Sequence, residues 1–255
     1  MKILQVRRAA PFVLVAVALS LAPVGIYAQG PPPAGRGPAN AKAAAPIDIT
    51  GQWVSVVTED WRYRMVTPAK GDYASVPLNA DSRKVADAWD PAKDEAAGNQ
   101  CKAYGAAAVM RVPGRVRISW ADDETMKVET DAGIQTRMFY FKDPKGQGGD
   151  WQGISAASWD IIGGGRGGPV RGGSMKVVTT KLKAGYLRKN GVPYSDKTLL
   201  TEYYDRTNEP NGDSWLVVTT IVDDPTYLNQ PFITSTHFKK QNDQSGWNPT
   251  SCSAR

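Results

Sequence analysis

The chain has 255 residues, a formal net charge of +6, one histidine and two cysteines. The first 46 residues contain no acidic residue and carry most of this charge, so residues 47–255 have a net charge of only about +1. Because no cluster of Lys and Arg and no group of His and Cys stands out in the folded part, we expect no nucleic-acid-binding surface, no zinc site and no other cofactor.

Residues 1–28 have the three parts of a cleavable secretory signal. Three basic residues precede an uncharged apolar stretch at residues 11–23, and Ala28 places a small side chain before a cut at Gln29. This stretch is shorter than the roughly 20 apolar residues that a membrane-spanning helix needs. We therefore predict a periplasmic or secreted protein that is not inserted in a membrane after cleavage.

The part that follows the leader divides into a tether and one domain. Residues 29–46 are rich in Pro, Ala and Gly, which is typical of a disordered tether, and residues 47–255 are expected to form a single folded domain. In an oxidising compartment, Cys101 and Cys252 are expected to form one disulfide, with two free buried thiols as the alternative.

The first predicted elements of the domain are two strands at residues 52–58 and 61–66. A helix is predicted to follow, with Asn79 as its N-cap and Trp89 near its end, because Val85 and Trp89 lie four residues apart on one face. The Ala-rich stretch at residues 92–110 is ambiguous and has room for a second short helix.

From residue 115 onward, apolar and polar residues alternate with a period of two, which is typical of antiparallel strands with one wet face. Consecutive hairpins favour pairing between neighbours, and closure of the sheet removes exposed edges. We therefore predict a mainly β, antiparallel, lipocalin-like barrel of roughly ten strands with one or two short helices, rather than a sandwich. The later strands are predicted at residues 116–120, 126–130, 134–141, 151–162, 175–182, 198–207, 215–222 and 232–240.

Two other motifs lack the context that their chemistry requires. Gly163, Gly165 and Gly168 match the dinucleotide-binding pattern, but Pro169 and a further strand follow where that site needs a helix. The acidic run at residues 122–124 is the best candidate for a carboxylate site for Ca²⁺ or Mg²⁺, and it fits a solvated hairpin tip better.

Three polar side chains within otherwise apolar strands are the candidate catalytic groups, namely Asp160, Glu202 and His237. A carboxylate that faces a barrel interior is desolvated, which raises its pKa toward the range of a general acid or base. The alternative for each residue is a place on the outer, wet face. An interior Glu202 needs a partner, and Arg137 is the first candidate, ahead of His237 and Arg117.

Aromatic residues in the predicted strands suit the wall of a cavity for an apolar or ring-bearing ligand. The residues expected to bind the ligand are Trp120, Arg137, Trp159 and Tyr204. The alternative is that the aromatic side chains simply fill the barrel core.

Several segments resemble known exported proteins. The Gly-Gln-Trp at residues 51–53 resembles the opening of the first lipocalin strand, which implies that Trp53 closes the barrel against a basic side chain, Lys239 or Lys240. The chain also resembles a large group of exported, β-rich bacterial proteins recorded as hypothetical. That resemblance implies the fold and the compartment, and it assigns no catalytic residue. It rests on Cys101 and on residues 112–116 (VPGRV), 158–160 (SWD), 191–195 (GVPYS), 200–203 (LTEY) and 224–232 (DPTYLNQPF).

The leading interpretation of the sequence is an exported barrel that binds a small, mostly apolar or aromatic molecule. A second interpretation is a cofactor-free isomerase, lyase or hydrolase that uses Glu202, Asp160 or His237 in the same barrel. A third is a structural or interaction module that uses the outer face of a sheet. The first two require a lined cavity and the third requires an exposed apolar patch.

Overall fold

A computed structural model describes residues 40–165 and 168–255. The predicted signal peptide, residues 1–28, and residues 29–39 of the predicted tether lie outside the described residues. Strands take up 41% of the described residues and helices 12%, so the prediction of a mainly β fold is confirmed. Every helix in this part of the chain is too short to span a lipid bilayer.

Eleven strands are present in the described residues, and nine of them close into a barrel. They are β1 (Gly51–Val56), β2 (Arg115–Asp122), β3 (Thr125–Thr130), β4 (Gln135–Tyr140), β5 (Ile154–Gly163), β6 (Val170–Thr180), β7 (Gly185–Arg188), β8 (Val192–Tyr194), β9 (Leu199–Asn208), β10 (Ser214–Asp223) and β11 (Phe232–Gln241). The order around the barrel is β1-β11-β10-β9-β6-β5-β4-β3-β2, while β7 and β8 form a separate hairpin.

The barrel is mixed rather than purely antiparallel, because β4 and β5 run parallel. They pair over a short stretch in which Phe139 lies opposite Ser155 and Tyr140 lies opposite Ala156. A parallel connection needs about a dozen residues to cross from one end of the sheet to the other, and residues 141–153 provide that length. Alternation alone gives the strands but not their direction, so the sequence did not indicate this pair.

Four short α-helices lie between β1 and β2: α1 (Trp61–Arg64), α2 (Ala80–Asp87), α3 (Pro91–Ala96) and α4 (Ala106–Val109), with a 3₁₀ helix at Lys102–Tyr104. The predicted cap of α2 is present, since the Asn79 side chain accepts hydrogen bonds from the backbone N–H groups of Asp81 and Ser82. The predicted strand at residues 61–66 is wrong. Asp60 adopts a left-handed conformation there and turns the chain into α1.

Two hydrophobic cores lie one above the other. The barrel core is formed by inward-facing strand residues and by Val109 and Met110, which enter from the end of α4. The second core lies at the end of the barrel where β1 ends and β2 begins, which we call the base. There α2, α4 and the β7–β8 hairpin pack on one another around Tyr194, Leu200 and Phe232.

The opposite end of the barrel is covered by the chain that precedes β1. The Asn40 side chain donates to Asp123 at 3.1 Å, and the backbone N–H groups of Ala41 and Lys42 donate to the β2–β3 turn. Residues 40–46 are therefore folded against the barrel, although the sequence assigned them to the tether. Composition alone could not show these contacts, because the turn that holds the segment lies about 80 residues further along the chain.

Two predicted long-range contacts are present in the fold. Trp53 is fully buried, and the Lys240 Nζ atom lies 5.5 Å from the centre of its ring. The resemblance to lipocalins implied such a contact with either Lys239 or Lys240. The disulfide between Cys101 and Cys252 is confirmed, with the two Cα atoms 5.1 Å apart. It joins the C-terminal segment to the layer of helices at the base.

Candidate functional site

Glu202 lies inside the barrel, near the boundary between its core and the base. The side chain is fully buried on β9, between Leu200 and Tyr204 on the same face. Arg137 of β4 reaches it with both terminal nitrogens, Nη1 to Oε1 at 2.9 Å and Nη2 to Oε2 at 2.5 Å. This bidentate geometry is the strongest form of contact between a guanidinium and a carboxylate.

The surroundings of this ion pair are polar and largely satisfied. The Tyr204 hydroxyl donates to Glu202 at 3.1 Å, and Arg137 Nη2 also donates to Thr179, whose hydroxyl contacts that of Ser155. Burial alone would lower the pKa of Arg137, but the Glu202 carboxylate outweighs burial and raises it. Because both carboxylate oxygens accept bonds from neighbouring side chains, the geometry supports a structural role for Glu202 rather than proton transfer.

The remaining residues predicted for the barrel site lie apart from Glu202. Trp120, Phe141 and Trp159 form a cluster toward the covered end, in which the Trp120 and Trp159 ring centroids lie 5.6 and 5.0 Å from the Phe141 ring and 6.4 Å from each other. The Trp159 indole N–H donates to the Ala41 carbonyl at 2.8 Å, so this cluster helps to hold the segment that precedes β1. Asp160 is exposed on the outer face of β5, outside the interior in which an acid–base role was predicted.

His237 also lies on the outer face of the barrel, half-buried on β11. Its Nδ1 atom is 2.9 Å from a carboxylate oxygen of Glu59, in the segment between β1 and α1. Arg117, the last of the predicted partners for Glu202, instead stacks on Trp247 with its guanidinium 4.0 Å from the ring centroid. The structure thus brings together Arg137, Glu202 and Tyr204 but neither His237 nor Arg117.

A cavity of about 330 Å³ lies outside the barrel, within the layer at its base. Parts of residues 63–67, 103–113 and 187–189 form its walls, together with Ala132 and Thr250. Three arginine side chains line it, and all are largely buried: Arg64, Arg111 and Arg188 are 8, 6 and 4% exposed. We call this cavity the basic pocket.

Short elements of the base fix each of these three arginines. Arg64 ends α1 and donates through Nε to the carbonyl of Arg111 at 2.9 Å, which also fixes the backbone that follows α4. Arg188 ends β7, directly before the hairpin turn. The Asn190 side chain in that turn donates to the carbonyls of Ala69 and Asp72, so the hairpin is held against the loop that follows α1.

Two of the arginines have carboxylate partners within the described residues. Arg64 forms an ion pair with Glu59, and Arg111 Nη2 donates to Asp60 at 2.9 Å. Burial lowers the pKa of Arg64, and the Glu59 carboxylate opposes that effect. Charged groups that leave water need such partners, so Arg64 and Arg111 are each compensated by one acid.

Arg188 differs, because no carboxylate bonds to it in the described part of the chain. Its Nη1 atom donates to the Ala74 carbonyl at 2.7 Å, and its guanidinium lies 4.2 Å from the centre of the Tyr63 ring. The Nε and Nη2 atoms are buried and have no hydrogen-bond partner among residues 40–165 and 168–255, and the same holds for Nη1 of Arg111. Burial, together with the neighbouring Arg111, lowers the pKa of Arg188 to about 10, which still leaves it charged at neutral pH.

The unpartnered atoms of Arg188 have a geometry suited to an anion. Nε–H and Nη2–H form one edge of the planar guanidinium, and such an edge donates two parallel bonds to a carboxylate or phosphate. Four cationic side chains line the pocket. Arg64 and Arg111 are paired with Glu59 and Asp60, whereas Arg188 and Lys189 form no ion pair with any of the described residues. The pocket is therefore suited to a small negatively charged molecule.

The disulfide and a glycine hold two walls of the basic pocket in place. Cys101 precedes the 3₁₀ helix that carries Tyr104, and Cys252 follows Thr250, so the bond ties both walls together. Gly133 has a φ of 79°, and any side chain there would collide with the Tyr104 ring. Glycine at this position lets the ring approach the β3–β4 turn and form the wall.

The basic pocket is not evident from the sequence. Its arginines come from three segments that are far apart in the chain, and charged residues are mostly exposed, so an isolated Arg carries little information. One signal was present: Arg111 interrupts the apolar run between Ala106 and Val112, and Arg188 follows Leu187. A charged residue within a short apolar run indicates a buried charge that needs a partner.

No family model, no curated protein and no solved structure matches this chain. The described residues also contain no group of three or more His, Cys, Asp or Glu side chains arranged to hold a metal ion. The function is therefore inferred from the fold and from the geometry of the basic pocket.

Proposed function

We propose that this protein is an exported binding protein that holds a small anionic molecule in the basic pocket at the base of its barrel. The observation that carries the proposal is Arg188, a buried guanidinium whose Nε and Nη2 atoms have no partner among the described residues. A buried charge without a counter-charge is costly, and a bound anion would supply that counter-charge. A disulfide that joins two walls of the pocket fits a protein that works in an oxidising compartment.

The proposed ligand and its site differ from the mostly apolar molecule that the sequence indicated. Large side chains of the barrel core, among them Phe139, Met175 and Phe238, occupy the barrel interior. Val109 and Met110 enter that interior from the base, and residues 40–50 cover its other end. The basic pocket, at about 330 Å³, lies within the usual size range of sites for small molecules, about 300–1,000 Å³.

The test is the thermal stability of the mature protein in acetate and in inorganic phosphate, at constant ionic strength. A ligand that binds only the folded state raises the melting temperature as its concentration rises. We expect this rise in the wild type and its loss in Arg188→Gln, because the variant lacks the unpartnered edge. Arg171→Gln, which removes an exposed arginine from β6, is the matched control and should behave as wild type.

Arg188→Gln also separates binding from a purely structural role. Since Arg188 bonds to no described carboxylate, its removal leaves no acid uncompensated. The unliganded variant loses the bond to the Ala74 carbonyl and the contact with the Tyr63 ring, so we expect it to be less stable than the wild type but folded. A wild type that responds to neither anion, or a variant that keeps the full response, would show that the proposal is wrong.

A further inference from the structure

Building on the anion site proposed above, we propose that the ligand of the basic pocket is a monocarboxylic acid with a small apolar body. Its carboxylate would bind the Nε–Nη2 edge of Arg188, and its apolar body would lie on the wall formed by Met65 and Val66. Two independent features of the pocket lead to this assignment, the count of charges and the chemistry of the wall.

The count of charges favours one carboxylate. Arg64 is paired with Glu59 and Arg111 with Asp60, so each of these arginines already has one carboxylate. Arg188 lies beside them and is largely buried, and its Nε–Nη2 edge, which has no partner within residues 40–165 and 168–255, matches the two oxygens of a planar carboxylate. A third carboxylate would complete the pattern of one acid for each arginine. Lys189 is only half-buried, over the Tyr104 ring, so water can solvate its charge.

The chemistry of the wall favours an apolar body. Met65 and Val66 line the pocket and yet are 59 and 65% exposed, which leaves two adjacent large apolar side chains in contact with water. Val112, Pro113 and Leu187 continue the apolar surface deeper in the pocket. An inorganic ion would cover none of this surface, whereas the chain of an organic acid would bury it.

The experiment compares straight-chain carboxylates from acetate to hexanoate by calorimetric titration of the mature protein. Each CH₂ group that becomes buried should tighten binding by roughly fourfold, until the chain extends beyond the wall. Pentyl phosphate is titrated beside hexanoate, because this phosphate ester offers the same five-carbon apolar chain with a second negative charge. We expect hexanoate to bind more tightly of the two.

The double variant Met65→Ser/Val66→Ser tests the wall. It should lose most of the gain in affinity with chain length, because the Ser side chains remove apolar surface. Both residues are exposed, so the variant is expected to fold. Ile162→Ser, at a site that is 62% exposed on β5, is the matched control and should keep the full gain.

The outcomes separate this inference from the proposed function. Equal affinity from acetate to hexanoate, tighter binding of pentyl phosphate than of hexanoate, or a full gain in the double variant would each overturn the assignment of a monocarboxylic acid. In all three cases, a rise in melting temperature with acetate that depends on Arg188 would still support the proposed anion site. If neither acetate nor phosphate binds, both proposals fail together.

Discussion

Two buried arginines in this molecule illustrate how the partners of one side chain decide its role. Arg137 bonds to both oxygens of Glu202 and to the Thr179 hydroxyl, and only its Nε atom lacks a partner among the described residues. Arg188 is equally buried, but two of its nitrogens have no partner in the described residues. The first arrangement compensates a buried charge within the fold, whereas the second leaves two buried donors without a partner among the described residues, on which the proposed anion site rests.

We expect Glu202→Gln to lower the free energy of unfolding by about 3–5 kcal/mol, because Arg137 would remain charged in the interior without a counter-charge. Urea unfolding measures the difference. The double variant Arg137→Met/Glu202→Leu removes both charges and should recover most of the loss. In protein that remains folded, the response to acetate should be unchanged, since Glu202 lies outside the basic pocket. Unchanged stability in Glu202→Gln would contradict a structural role for the pair.

At the scale of elements, the segment between β1 and α1 links the barrel wall to the basic pocket. Glu59 accepts from His237 on β11 and forms an ion pair with Arg64 at the end of α1. Asp60, the next residue, adopts a left-handed conformation and pairs with Arg111. Two adjacent acids thereby fix two of the three arginines in the pocket, so this turn positions the site.

The contacts of Glu59 predict that the free energy of unfolding depends on pH. Burial alone would raise the pKa of Glu59, but His237 and Arg64 outweigh it and lower the pKa below its usual 4.5. Because the folded-state value is depressed, the stability that Glu59 contributes is present above about pH 4.5 and is lost as the pH falls through the lowered value. The difference in unfolding free energy between wild type and Glu59→Gln should therefore be present at pH 5 and shrink as the pH falls below about 4.5.

Urea unfolding across pH 3–7 measures this difference. Glu209→Gln, at an exposed carboxylate in the β9–β10 turn, is the control and should differ little from wild type at any pH. A difference between wild type and Glu59→Gln that persists unchanged down to pH 3 would show that the two contacts do not depend on the charge of Glu59.

At the scale of the whole molecule, the base layer consists of segments that are distant in sequence, and a disulfide holds two of them together. The bond joins residues 151 positions apart and holds the 3₁₀ helix against the C-terminal segment. Both of these segments contribute walls to the basic pocket, through Tyr104 and Thr250. Stability and ligand binding are therefore expected to depend on the same covalent link.

Protein recovered from the periplasm or the medium should begin at or near Gln29 and contain no free thiol, which intact-mass measurement with and without alkylation would show. An intact Met1 on a soluble cytoplasmic product would argue against export.

Replacing both Cys101 and Cys252 by Ser should lower the free energy of unfolding by on the order of 4–5 kcal/mol, because the unfolded chain regains the entropy of an open loop. The response to acetate should weaken as well, since two walls are released.

The sequence by itself was sufficient for features that depend on local pattern. A period of two predicts strands wherever one face meets the core, and this periodicity located most of the barrel strands. The Asn79 cap is a local signal of the same kind, and the pairing of Cys101 with Cys252 followed from there being only two cysteines. The partnership of Glu202 with Arg137 was also among the sequence-based candidates, because an interior carboxylate needs a cation.

Only the tertiary structure decided the features that depend on distant segments. The parallel pairing of β4 with β5, the folding of residues 40–46 on the β2–β3 turn and the helical turn at Trp61–Arg64 all depend on contacts that no local window contains. The basic pocket is the clearest case, since Arg64, Arg111 and Arg188 carry no joint signal in the sequence. Packing of the base layer buries all three side chains in one place and leaves the Nε and Nη2 atoms of Arg188 without a partner among the described residues.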